Sequence, residues 1–211
     1  MKVTKLEHSG MILEKSGKKL VFDPVEIEAT LPEVDDVVAI IITHKHGDHL
    51  QLENLQKILA RNTEAKLLVA HDVELDLPNV QIAQPGAELG IAGFSLQIFG
   101  NNHAEIDPGN VPCANIGVVV DGAFVNPGDS FDLPVLPERI KLLCVPSAAP
   151  WCRLSESMAY LAKAQPEKAM PVHNAVLSKF GNQVCNNWLS QCAEQNGIEF
   201  LPLEIGESVE I

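Results

Sequence analysis

The stretch Val37-Val38-Ala39-Ile40-Ile41-Ile42-Thr43-His44-Lys45-His46-Gly47-Asp48-His49 decides how the rest of the chain is read. Its first six residues are apolar without a break and mostly β-branched, the pattern of a strand buried on both faces. From Leu50 to Ala60, Leu52, Leu55, Ile58 and Leu59 recur at helical spacing. Three imidazoles and a carboxylate are therefore concentrated at a strand-to-helix turn. His44 and His46 are two residues apart, so an extended backbone points both the same way. Gly47 is expected to permit the sharp change of direction that brings Asp48 and His49 alongside. That geometry suits two adjacent metal ions, one on His44 and His46, the other on Asp48 and His49. Imidazole with carboxylate is a borderline donor set, suited to zinc, iron or manganese. A solvated polar turn is the plain alternative, but three histidines within six residues, out of seven in the chain, weigh against it.

This stretch resembles the H-x-H-x-D-H signature of the metallo-β-lactamase superfamily. The family's further motifs also occur here in order: Asp23-Pro24, His103, Gly128-Asp129 and His173. The resemblance implies a four-layer αββα sandwich (α/β class) with the site at one edge of two sheets. It also implies a ligand set of His44, His46 and His103 on one ion, and Asp48, His49 and His173 on the other. Asp129 would bridge them. Asp23 would orient a histidine ligand and fix its tautomer. His8, between the first two strands, is read either as a surface-loop residue or as a residue at the site's rim, with Asp48, Asp23 and His8 taken as the catalytic set.

The activity implied is that of a metal-dependent hydrolase. Two divalent ions (zinc first, manganese or iron as alternatives) would share an ionised water that attacks a small ester, lactone or phosphoester. The similarity is greatest to small single-domain hydrolases related to the ascorbate-6-phosphate lactonase. His49 separates the chain from class B β-lactamases, which lack a histidine directly after the motif aspartate. Two alternatives stay open: a non-catalytic metal-binding protein, and a di-iron redox protein on the same fold. Against the second, the central motif contains no Glu.

With 211 residues, the chain is long enough for one sizeable core, and residues 1–211 read as a single domain. A net charge of −13 argues against a nucleic-acid backbone as partner. A small-molecule substrate is expected, with a homo-oligomer open. No apolar run approaches the ~20 residues of a membrane span. The start lacks a secretory h-region, so a cytoplasmic protein with reduced thiols is expected. The odd count of five cysteines, with no C-x-x-C, fits that reading. Cys185 and Cys192 share a predicted helical face with Val184, Trp188 and Leu189, which points to core packing.

Elsewhere, strands are predicted over 3–6, 11–14, 19–22, 66–70, 80–83, 94–99 and 141–145. Residues 116–120 and 123–125 form a hairpin about Asp121-Gly122. Helices are predicted from Leu154 to before Pro166 and over about 182–196, with a short strand pair near 198–211. His71-Asp72, Glu105 and Asp107 are read as ordinary solvated groups, and Trp151 as a packing residue more than a wall of the pocket.

Overall fold

The computed structural model describes residues 1–211. Chain order is β1 (Lys2–Lys5), β2 (Met11–Lys15), β3 (Lys18–Phe22), β4 (Val37–Ile42), α1 (Leu52–Arg61), β5 (Lys66–Val69), β6 (Val80–Ile82), β7 (Glu88–Ile91), β8 (Phe94–Phe99), β9 (Gly117–Val120), β10 (Phe124–Asn126), β11 (Leu142–Pro146), α2 (Leu154–Ala164), β12 (Lys168–Val172), α3 (Lys179–Gln195), β13 (Glu199–Phe200) and β14 (Ser208–Glu210). The strands form two seven-stranded sheets, ordered β14-β1-β2-β3-β4-β5-β6 and β13-β12-β11-β10-β9-β8-β7.

Side-chain alternation shows how the layers stack. On β11, Leu142 and Cys144 join the larger core between the sheets, while Leu143 and Val145 join a second core with Leu161 of α2 and Leu189 of α3. Phe124 and Val125 of β10 divide in the same way. Period-2 patterning therefore serves two apolar layers, which is why these strands read as unbroken hydrophobic runs. Leu55, Ile58 and Leu59 of α1 pack on the first sheet. The order is helix, sheet, sheet, helices: the four-layer αββα sandwich.

This topology positions the site. Strands β1 and β3 run the same way as β4, because β1-β2 and β2-β3 are antiparallel and β3-β4 is parallel. In the second sheet, β8, β10 and β12 share one direction by the same reasoning. The segments following all six strands therefore emerge at a common edge, where α/β sheets present their functional groups.

Three local expectations need correcting. Strand β7 was not predicted, since Glu-Leu-Gly-Ile at a half-exposed sheet edge lacks a clear alternation. The two C-terminal strands do not pair with each other: β13 adds to β12 and β14 to β1, in different sheets. On α3, Leu189, Cys192 and Ala193 are buried, whereas Val184 and Trp188 are exposed and Cys185 is half-buried. The helix rests on a narrower stripe than its composition implied.

Candidate metal centre

The residues singled out by sequence meet at this edge. His8, Asp23, His44, His49, His103, Asp129 and His173 are buried, and His46 and Asp48 partly so. Potential ligand atoms fall into three overlapping groups, His44/His46/His103, His44/His49/Asp129 and His8/Asp48/His49/His173, each with its atoms within 4.8 Å of one another. Asp129 is at the centre. Its carboxylate lies 2.9 Å from His173 Nε2, 3.3 Å from His49 Nε2 and His103 Nε2, and 3.9 Å from His44 Nε2. Asp48 Oδ2 lies 3.5 Å from His173 Nε2 and 3.3 Å from His8 Nε2.

The far nitrogens of four rings are already committed. His103 Nδ1 donates to the Ala104 carbonyl (2.5 Å) and His173 Nδ1 to the Ala148 carbonyl (2.6 Å). His49 Nδ1 donates to Asp23 Oδ2 at 2.8 Å. The Thr43 hydroxyl donates to Asp23 Oδ2 (2.8 Å), which leaves it to accept from His44 Nδ1 at 3.1 Å. With Nδ1–H fixed, each neutral ring turns a lone pair on Nε2 inward, the tautomer a metal requires. Asp23 thus reaches a histidine of the central turn as expected, and its other oxygen accepts from the Thr43 amide at 2.8 Å.

Buried His44 Nε2, His49 Nε2 and Asp129 Oδ1 find no hydrogen-bond partner in the protein. Orphaned polar atoms at such depth are costly unless something binds them. Converging imidazole lone pairs and a carboxylate fit a divalent cation of the zinc, iron or manganese type.

The electrostatics follow from the packing. Burial alone would raise the Asp129 carboxyl, but the charge of His49 and the close approach of the His103 and His173 rings hold it well below the carboxylate range. The imidazoles of His173 and His8, within 3.5 Å and 3.3 Å of its Oδ2, hold Asp48 far down as well. Burial depresses His44, with His49 nearby adding to the effect. For His173, burial is outweighed by Asp129 and Asp48, and its value rises to about 9. In the metal-free protein this interaction stabilises the fold fully below 6.5 and is lost as pH rises through about 9.

Several contributors were not read from sequence. Asn115, fully buried, accepts from the Asp129 amide (2.9 Å) and donates to the Pro127 carbonyl (2.9 Å), clamping the turn that carries the carboxylate. Cys113 Sγ lies 3.7 Å from His46 Nε2. Trp151 Nε1 donates to Asp129 Oδ2 at 3.1 Å, so this tryptophan touches the site rather than only packing. Gly47 is not in the left-handed region and has open space around its Cα, so the turn at His46–His49 does not require glycine. Gly128 does require it, as its φ of +63° shows. His71, Glu105 and Asp107 are exposed, as read.

Comparison with known proteins gives the family and the fold. The chain belongs to the β-lactamase superfamily: that family's domain matches residues 2–173. Protein Rv0786c of Mycobacterium tuberculosis is 30% identical over 184 residues, covering 84% of this chain and 86% of its own. Among solved structures, Igni18, described as a metallo hydrolase from Ignicoccus hospitalis, superposes with a TM-score of 0.72 at 19% identity, covering 99% of this chain and 97% of the other. CmlA, a diiron β-hydroxylase from Streptomyces venezuelae, superposes with a TM-score of 0.71 at 12% identity, covering all of this chain and 54% of its own. No helix of the chain is long and apolar enough to cross a membrane.

Proposed function

We propose that the chain is a metal-dependent hydrolase acting on a small ester, lactone or phosphoester at a two-ion site. His44, His46 and His103 would hold one ion, Asp48, His49 and His173 the other, with Asp129 shared between them. The observation that carries this reading is the set of four imidazoles whose Nδ1 atoms are all tied down, leaving the Nε2 atoms gathered around one buried carboxylate. When bound, divalent ions supply electrophilic activation of the scissile carbonyl or phosphoryl oxygen and acidify a water to act as nucleophile. Zinc is the first choice and manganese or iron the alternatives.

The protein's own residues prepare that chemistry. Asp23 and Thr43 fix the rings of His49 and His44, so little reorganisation remains when a ligand binds. Trp151 holds one Asp129 oxygen by a hydrogen bond from its indole N–H. Beside His46 and His103 lies a cavity of about 210 Å³, lined also by Ile106, Val111 and Cys113. Its size suits a compact substrate, and its apolar wall suits an uncharged acyl or alkyl portion.

The experiment is a panel of lactones, aryl esters and phosphodiesters, assayed with zinc-, manganese- and iron-loaded protein and with chelated protein as the blank. Hydrolysis of one class that chelation abolishes and reloading restores is the expected result. No turnover with any class in any loaded form would leave the non-catalytic reading in its place. CmlA, a diiron β-hydroxylase, shares this fold over 54% of its own chain; an iron-loaded sample with charge-transfer bands and no hydrolysis would favour the redox alternative.

A further inference from the structure

His8 differs from every other anchored imidazole in the cluster. Its Nδ1 accepts from the backbone N–H of Ala175 at 3.2 Å. An amide N–H can only donate, so the neutral His8 ring carries its proton on Nε2. The other anchored rings carry theirs on Nδ1. His8 Nε2 is buried, has no aligned hydrogen-bond partner, and lies 3.3 Å from Asp48 Oδ2. Proximity alone would place it with Asp48, His49 and His173 as a possible metal ligand. Ligation would need a lone pair where this tautomer has a hydrogen.

The surrounding backbone is built to hold that orientation. His8 sits in the left-handed region at φ 56°, a costly place for a histidine unless the structure enforces it. The buried Lys5 ammonium donates to the His8 and Leu6 carbonyls. The turn closes through Leu6 N to Gly10 O (2.9 Å) and Gly10 N to Glu7 O (2.8 Å). The Glu7 carboxylate in turn accepts from the amides of Ile27 (2.7 Å), Glu28 (2.8 Å) and Ala29 (3.1 Å). A side chain at Gly10 would come within 2.9 Å of the Glu7 carbonyl, so the turn is closed to other residues.

From this geometry we infer that His8 is a positioning residue: it presents a fixed Nε2–H to Asp48 and orients that carboxylate, without itself ligating a metal. The inference rests on the two-ion reading for Asp48, but the proton's place on His8 does not depend on it.

The first test needs no variant. In ¹⁵N-histidine-labelled protein, metal-free and loaded with cadmium-113, His8 should show a protonated Nε2 in both states and no coupling to cadmium. His44, His49, His103 and His173 should show coupling through Nε2. Coupling of His8 to cadmium, or a proton on its Nδ1, would overturn the inference. Absence of cadmium coupling at every histidine would instead defeat the two-ion reading, leaving the His8 tautomer to be judged in the metal-free spectrum. The second test titrates cadmium into His8→Asn and His8→Gln. Asn tolerates the left-handed backbone but does not extend to Asp48, whereas Gln returns a carboxamide donor near the original Nε2. His8→Asn should weaken the second ion by about 10–100-fold, the usual effect of losing an outer partner, with the melting temperature of the metal-free protein little changed. His8→Gln should recover part of that loss. Undiminished affinity in His8→Asn would contradict the positioning role.

Discussion

Replacing Asp129 by Asn is expected to empty the centre while leaving the fold intact. Asn keeps the size of the side chain and the backbone amide that Asn115 holds at 2.9 Å. What disappears is the one carboxylate that approaches His44, His49, His103 and His173 together. Losing a shared ligand should weaken divalent metal by more than about 100-fold, beyond the 10–100-fold typical of an outer-shell partner. Hydrolysis should fall with it. A second readout does not involve metal. Asp129 helps to hold His173 up at about 9, so in the metal-free variant the His173 titration should move down toward the ordinary histidine range. His71→Ala is the control: its imidazole is exposed and outside the cluster, and metal content should not change. Full metal content in Asp129→Asn would remove this residue from the site.

Gly128→Ala should produce a large loss of stability. A Cβ there would stand 2.2 Å from Asn115 Oδ1 and 3.0 Å from the Thr43 Cβ, with φ at +63°. Left-handed backbone costs an alanine about 1–2 kcal/mol, and overpacking a tight interior adds about 1–3 kcal/mol. The sum is roughly 2–5 kcal/mol, which for a chain of this size lowers Tm by about 4–20 °C. The clash falls on Asn115, the residue that clamps both Pro127 and Asp129, so metal affinity should fall as well. Thermal melts of metal-free protein separate the two effects. A variant that melts with the parent would show that the Asn115 clamp yields at little cost.

Much of this was legible in the sequence, for identifiable reasons. Strand β4 announced itself because both its faces are covered, so hydrophobicity was continuous up to Ile42 and the histidines stood out directly after it. His103, Asp129 and His173 were found by motif order, since each follows a strand and is alone in its own neighbourhood. The supporting contacts were not legible. Thr43 and Asn115 are ordinary residues locally, and their roles depend on partners at Asp23, Pro127 and Asp129 that only the assembled sheets bring near. Trp151 is one of two tryptophans, and nothing local distinguishes its bond to Asp129 from the exposure of Trp188. His8 reads from sequence as either rim or surface because the partner that anchors its ring, the Ala175 amide, lies 167 residues away. The C-terminal strands were seen, but which sheet each joins is set by tertiary packing rather than by local pattern.

Elemental analysis of protein purified without chelator and then supplemented with zinc or manganese would count the ions held by these side chains. About two divalent ions per chain are expected, falling below one in Asp129→Asn. A parent protein that holds no metal after supplementation would contradict a two-ion centre.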